Sequence, residues 1–314
     1  MDGPAIMTAD RSMPAGLTIV APVYNEAAAL PAFLAALLPF AAALPAEVIL
    51  VDDGSRDGSS DILAQAQGGR VRVLRHKLNR GYGGALKTGV AAARTRYTIT
   101  MDADGQHSLD DVRRLYETIC RTEADMVIGS RRGQKDASLT RAIGKRLIRL
   151  LAKSLMSIPV HDLNSGMKIV ETRMAQQVLH LCPDTMAYSD TIALLFINLR
   201  CLVIEEPIQV RERQGRASTI GLRDAFATVR AIINMVMLFH PLNLFLPAAI
   251  TLAALGLTCT ARCYLINHVL SQGAAVLLLS ALFTLLLGLL AEQLADLRRT
   301  QGPRPLPDGG RDPR

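Results

Sequence analysis

Residues 97–107 read YTITMDADGQH. Tyr97–Met101 is rich in β-branched and aromatic residues and has the length of a short strand. It runs straight into Asp102, Ala103, Asp104 and Gly105. If strand geometry persists past Met101, the period of two puts both carboxylates on one side. Two converging carboxylates suit Mg2+ or Mn2+, hard cations that take oxygen ligands and share them with phosphates. Gly105 relieves the turn, and Gln106 offers another oxygen. Alone, Asp-x-Asp is weak, because paired acids also cap helices and cover surfaces. At a strand end, among the right companions, it gains weight.

The chain on either side of this stretch alternates in pattern. Leu17–Pro22 (LTIVAP), Glu47–Asp52 (EVILVD) and Val71–Arg75 read as strands before it, and Asp125–Gly129 after it. Helical segments fall at Ser59–Gln67, Gly84–Arg94 and Leu109–Arg121. Strands and helices alternating through short connections predict an α/β domain with a mainly parallel sheet. In such sheets ligands bind beyond the carboxyl ends of the strands, where the polar clusters of this sequence fall. Ala27–Leu44 is almost wholly apolar and invites reading as a membrane span. Its large residues Leu30, Phe33, Leu34, Leu37 and Leu38 share one helical face, and Pro31, Pro39 and Pro45 interrupt it. A helix packed on the domain is predicted instead.

Of the 314 residues 50% are hydrophobic and 20% charged, enough for a core, but the apolar residues are unevenly placed. Between Leu242 and Ala291 only Arg262 and His268 carry or can take a positive charge. Leu244–Ala261 and Gly273–Ala291 each suffice for a crossing of about 20 residues. Arg223 and Arg230 precede this pair, and Arg298 and Arg299 follow it. The positive-inside bias therefore predicts two spans in an inner membrane, with the soluble domain and both termini cytoplasmic. A soluble helical hairpin is the alternative. Residues 139–156 form a basic amphipathic helix, with Arg141, Lys145, Arg146, Arg149 and Lys153 and no acid among them. It either packs on the sheet or lies in the membrane interface.

The net charge of +7 fits nucleic acid, a phosphorylated ligand or anionic lipid. A chain without Trp makes a poor stacking platform for single strands. Beside an anchor, anionic lipid is the simpler partner. Cys120, Cys182, Cys201, Cys259 and Cys263 lack metal-ligand spacing and imply a reducing compartment without disulfides. The expected organisation is a loose leader at 1–16 without signal-peptide character, and a catalytic domain at 17–221. A juxtamembrane amphipathic helix at 222–240, an anchor at 241–297 and a disordered tail at 298–314 follow.

Three further clusters lie at strand ends. VDDGSRDGS (51–59) offers acids that can accept hydrogen bonds from a nucleobase or ribose; otherwise it is a turn, with Ser59 as the helix cap. PVYNE (22–26) places Tyr24 and Glu26 where a base could sit, or simply starts a helix. RGYGGALK (80–87) sets three glycines at the start of a helix, to serve a phosphate or to allow close packing. It follows the third strand with the wrong spacing for a dinucleotide fingerprint, which excludes a nicotinamide oxidoreductase. Arg131 and Arg132 are candidate diphosphate partners.

PVYNE, VDDGSRDGS, RGYGGALKTG (80–89), MDADGQH (101–107), GSRR (129–132) and DLNSGMK (162–168), in this order, resemble the family 2 glycosyltransferases of the GT-A fold. Within them the chain is similar to the polyprenyl-phosphate branch typified by dolichyl-phosphate mannose synthase, whose bacterial and archaeal members carry their own anchor. The resemblance covers about 17–219 and implies a Rossmann-like GT-A domain followed by interfacial helices and two transmembrane helices. It implies donor contacts from Pro22, Tyr24, Glu26, Val51, Asp53, Asp102, Ala103, Asp104, Arg131 and Arg213. It also implies metal ligation by Asp102, Asp104 and Gln106, and an acceptor region with Asp162 and Ser165. Asp190 stands roughly where the family often has Glu. The family commonly follows its late Arg with Gly-x-Ser-Lys. Here the chain has Arg213 and then QGRAST, so Thr219 replaces Lys and a phosphate contact is missing unless Arg216 supplies it.

The activity implied is inverting transfer of a sugar from a UDP-glucose- or GDP-mannose-like donor to a polyprenyl phosphate. A lipid phosphate is already an anion, so alignment and stabilisation of the leaving diphosphate by metal and Arg131 would suffice, with Asp104 at the reacting centre. A hydroxyl acceptor, lipid or glycan, would need a base, with Asp162 or Asp190 available. An inactive membrane scaffold and a homo-oligomer are also compatible with the sequence.

Overall fold

The computed structural model describes residues 16–105, 107–131, 160–209, 233, 236–237, 239, 241–267 and 272–300. These fall into two compact units, one within 16–209 and one within 233–300. Gln106, Arg132, the basic helix expected at 139–156, Arg213, Arg216 and Thr219 lie outside the described residues.

In the first unit β1 (Leu17–Val23), β2 (Glu47–Asp52), β3 (Val71–Arg75) and β4 (Tyr97–Thr100) pair in parallel. Three more strands, β5 (Met126–Ser130), β6 (Lys168–Glu171) and β7 (Val203–Pro207), complete a sheet in the order β3-β2-β1-β4-β6-β5-β7. From β1 the chain steps to β2 and β3 on one side, whereas β4 lies on the other. The strand order therefore reverses between β1 and β4, and loops leaving such a switch point diverge to open a crevice. Nothing in the sequence pattern predicts β6. Its four residues, KIVE, begin and end with a charge, yet all are buried. It runs antiparallel between β4 and β5. The turn that precedes it thus arrives at the carboxyl ends of those two strands.

The helices cover both faces. On one, α1 (Leu30–Ala43), α2 (Ser59–Ala66) and α4 (Leu109–Thr122) bury their apolar sides against Leu17, Ile19, Ala21 and Val23 of β1 and their neighbours. The apolar segment predicted to pack does so: Leu30, Phe33, Leu34 and Leu37 are buried, with Leu38 packed partly against them. Each fully buried side chain of this size contributes about 1.5–3 kcal/mol. Ser108 caps α4 by accepting from the Asp110 amide at 3.2 Å, and Asp110 and Asp111 in the first turn suit the helix dipole. On the opposite face lies α3 (Tyr82–Ala92). A Cβ at Gly89 would meet Val20 Cγ1 at 2.3 Å, so only glycine lets this helix sit so close to β1. Behind it pack α5 (Thr172–Val178) and α6 (Tyr188–Asn198), with Gln176 donating to the carbonyls of Val90 and Ala93.

The second unit is a hairpin of α7 (Leu242–Asn267, 26 residues) and α8 (Gln272–Thr300, 29 residues). At 1.5 Å per residue they measure about 39 and 44 Å, beyond the ~30 Å hydrocarbon core. They approach through small residues: Gly256 faces Leu278, and a Cβ at Gly288 would lie 2.7 Å from that of Phe245. Ile250, Leu257, Leu279, Phe283 and Leu290 point outward. Both helices are long and apolar enough to cross a membrane.

Candidate active site

The loop after β4 keeps the alternation expected of it. Met101 and Ala103 are buried, whereas Asp102 and Asp104 are only half-buried, and Gly105 turns the chain at φ +74°. The two carboxylates predicted to converge are thus both on the less buried side. Asp102 Oδ1 accepts from the Tyr82 phenol at 2.9 Å, and Oδ2 lies 3.5 Å from His107 Nε2. Burial works against the charged form of Asp102, but His107 and Tyr82 outweigh it and hold the carboxyl below its ordinary pKa. Asp102 is therefore an anion wherever a cation would meet it. Among the described residues no group of three or more His, Cys, Asp or Glu gathers as a metal cluster. Two half-exposed carboxylates fit a cation such as Mg2+ or Mn2+, which completes its shell with water and phosphate oxygens.

At the end of β2 the acids face inward. Asp53 is 2% exposed. Its Oδ1 accepts from the Arg80 amide at 2.8 Å and meets His76 Nδ1 at 2.6 Å, while Oδ2 accepts from the Gly81 amide at 2.9 Å. Asp52 accepts from the Ser55 amide and the Ser60 hydroxyl. The Asp53 carboxylate thus anchors the glycine-rich loop, and the donor contact expected of this residue stays a proposal. Val51, also predicted to meet the donor, has a fully buried side chain, leaving only its backbone for contact. Ser59 is not the cap of α2; Gly58 is, and the Ser59 hydroxyl donates to Asp57 at 2.6 Å and accepts from the Glu26 amide.

The glycines of the third cluster serve packing. The Gly84 amide, at the start of α3, donates to the Asp184 carbonyl at 3.1 Å. A Cβ at Gly83 would lie 2.4 Å from the Pro183 carbonyl oxygen. Backbone from 183–185 thus packs closely against the start of α3. Lys87 reinforces the contact through Asp184 at 2.8 Å. At the end of β1, Tyr24 is exposed, whereas Pro22 and Glu26 are half-buried. The Glu26 carbonyl accepts from Ala29 and Leu30 as α1 begins. A cleft of about 430 Å³ beyond β2 and β3 is lined by Gly54, Ser55 and Arg56 of the VDDGSRDGS cluster and by Arg75, His76 and Lys77.

A second charged cluster forms where β5, β6 and α6 meet. Arg131 binds Asp162 through Nε (2.8 Å) and Nη2 (3.0 Å), a bidentate pair. Burial raises the Asp162 pKa, but Arg131 more than offsets it and leaves a weak base. Asp190 is shifted upward, chiefly by burial. Lys168, at the head of β6, is 2% exposed and donates to the Ser165 carbonyl. Burial brings its ammonium down to about 8 against the pull of Asp190 and Asp162. The Ser165 hydroxyl closes on the Met167 backbone, so its predicted acceptor role would fall to the turn it builds. Tyr82, His107 and Lys168 stand within RGYGGALK, MDADGQH and DLNSGMK but were assigned no role there; the position of α3 brings Tyr82 here, the turn after β4 brings His107, and antiparallel β6 brings Lys168.

The description of glycosyl transferase family 2 matches residues 18–191, and that of the GtrB C-terminal hairpin matches 240–297. An undecaprenyl-phosphate 4-deoxy-4-formamido-L-arabinose transferase of Pseudomonas aeruginosa is 32% identical over 59% of this chain. The match spans 55% of that relative, little more than half its length. The protein of the same name from Aeromonas hydrophila is 28% identical over 88% of this chain and 85% of its own. In fold, the chain is similar to glucosyl-3-phosphoglycerate synthase from Mycobacterium tuberculosis, solved with Mn2+ and UDP-glucose, at TM-score 0.55 and 18% identity. That likeness covers 71% of this chain and 80% of the other, and extends to the GT-A sheet. With the family match running across the switch-point sheet and the loop that bears Asp102 and Asp104, the chain belongs to glycosyl transferase family 2 and carries a hairpin of the GtrB type.

Proposed function

We propose that this protein transfers a sugar from a nucleoside-diphosphate donor to a polyprenyl phosphate at the cytoplasmic face of the inner membrane. The observation that carries the reading is the pair Asp102 and Asp104, half-buried at the β1/β4 switch point, in a chain that also has a membrane-length hairpin. The undecaprenyl-phosphate transferases among its relatives support the acceptor class. A bound Mg2+ or Mn2+ would supply Lewis-acid neutralisation of the leaving diphosphate. Asp102 and Asp104 would hold it, joined by Gln106. Tyr24 and Glu26 would flank the base. Arg131 would add positive charge beside the phosphates, steadied by Asp162. The acceptor phosphate needs no base, so these residues act by alignment and electrostatics, and in-line attack inverts the anomeric centre.

Were the acceptor a hydroxyl, Asp190 would be the better base, because Arg131 holds Asp162 ionised at low proton affinity. The division into a 17–221 catalytic domain, a 222–240 juxtamembrane helix and a 241–297 anchor belongs to the same proposal. The test is a donor panel of UDP- and GDP-sugars, offered with undecaprenyl phosphate or diacylglycerol to the detergent-solubilised chain. Transfer to undecaprenyl phosphate is expected, abolished by EDTA and restored by Mn2+ or Mg2+. Asp102→Ala and Asp104→Ala should each lower kcat by at least about 100-fold. Full activity in chelator after stripping would refute the leaving-group chemistry, and transfer to diacylglycerol alone would refute the acceptor.

A further inference from the structure

Asp102 is held from two directions. On one side the Tyr82 phenol donates to Oδ1 at 2.9 Å. On the other is Gly166, where a Cβ would lie 2.8 Å from Asp102 Oδ2 and 3.2 Å from the phenol oxygen. Glycine there lets the β6 turn close against the carboxylate without pushing it. The Tyr82 side chain is itself fixed. Ser189 hydrogen-bonds the phenol oxygen from α6.

The backbone that delivers Tyr82 is fixed as well. The amides of Arg80 and Gly81 both donate to Asp53, which His76 holds from β3's end. Gly81 adopts φ +89°, and a Cβ on it would lie 2.6 Å from the Asp184 carbonyl oxygen. A continuous chain of contacts therefore runs from Asp53 at the end of β2, through residues 80–82, to Asp102 at the end of β4. Groups that orient a metal ligand from behind typically matter 10- to 100-fold in metal affinity.

We propose that Tyr82 is a positioning residue for Asp102, aiming its carboxylate at a divalent cation, with Asp53 anchoring the loop that carries the phenol. This rests on the reading of Asp102 and Asp104 as cation ligands. Tyr82→Phe removes the one hydroxyl and keeps the ring. Its merely structural alternative predicts an altered melting temperature and unchanged metal affinity.

The experiment titrates Mn2+ alone into the full detergent-solubilised chain and reads free Mn2+ by electron paramagnetic resonance. Wild type, Tyr82→Phe, Gly166→Ala and Asp102→Asn are compared, each with a thermal scan. The expected result is Mn2+ affinity lowered about 10- to 100-fold in Tyr82→Phe with an unchanged melting temperature. Gly166→Ala, which crowds the same carboxylate from the other side, should lose affinity similarly and serves if Tyr82→Phe does not fold. Wild-type affinity in Tyr82→Phe alongside lost affinity in Asp102→Asn overturns the positioning role and leaves the metal reading standing. Wild-type affinity in Asp102→Asn overturns both.

Discussion

Lys168 puts an ammonium in the interior of the first unit, at the head of a strand paired on both sides. Such a charge is costly to bury unless opposite charges surround it. Asp190 and Asp162 do so in part, Arg131 opposes them, and burial dominates, bringing the pKa down to about 8 from 10.5. Between those values the unfolded chain binds more protons at this site than the folded one, so stability rises with pH there. Below about 8 both states are charged and the full cost of burial applies. Lys168→Met should therefore gain most over wild type near pH 7, and the difference should move in favour of wild type by pH 10. Melting temperatures at a fixed scan rate in detergent would check this, and parallel profiles would contradict it. At this scale the carboxylate pair was legible, because a period of two acts on neighbours and needs no knowledge of the fold. The enclosure of Asp53 was not legible, for the opposite reason. Its sequence neighbours are those of an acid at a strand end, and only the return of residues 76–81 supplies the partners that enclose it.

Among the elements, α1 shows how far pattern alone reaches. Its composition fits a membrane span, but its large side chains keep to one face, and that face is the buried one. The parallel strands β1 to β5 were legible as apolar runs between turns, with ends shifted by a residue or so. β6 and β7 were not, since their glutamates and lysine break the apolar pattern; β6 is nonetheless buried between two strands, whereas β7 is a half-buried edge strand. Missing β6 meant missing how Ser165, Gly166 and Lys168 reach the site. The packing of α3 on β1 offers a test at this level. Alanine in place of a helical glycine ordinarily stabilises by about 1 kcal/mol. At Gly89 the new methyl would meet Val20 Cγ1 at 2.3 Å and Val51 Cγ2 at 3.2 Å, both on fully buried side chains. Overpacking of this kind costs about 1–3 kcal/mol and should outweigh the helical gain. Gly89→Ala is thus expected to lower the denaturation midpoint, and an unchanged or raised midpoint would show that α3 can move away from the sheet.

For the whole molecule, the proposed acceptor imposes a physical constraint. A polyprenyl chain long enough to be useful as a carrier stays in the bilayer, so its phosphate is met at the interface. A free soluble domain would have to find that surface by diffusion, whereas a hairpin of α7 and α8 in the membrane would keep the domain beside it. If the acid-free run with Arg141, Lys145, Arg146, Arg149 and Lys153 lies at the membrane surface, it would add attraction to anionic headgroups, about 1 kcal/mol for each basic residue. These two contributions differ in their response to salt. Apolar insertion persists at high ionic strength, while the basic residues are screened within about 8 Å at physiological salt. Deleting 241–314 is therefore expected to leave donor binding largely intact and to reduce transfer sharply when the acceptor sits in vesicles. Charge reversal at Arg146, Arg149 and Lys153 in the full chain should impair the same step, more strongly at low salt than at high salt. Donor binding, followed by nucleotide titration, separates these outcomes from misfolding, because a misfolded first unit would lose it. Should the truncated chain glycosylate polyprenyl phosphate in vesicles as fast as the full chain, the hairpin has some other purpose. If charge reversal acts equally at all salt concentrations, the basic run meets a protein surface rather than lipid.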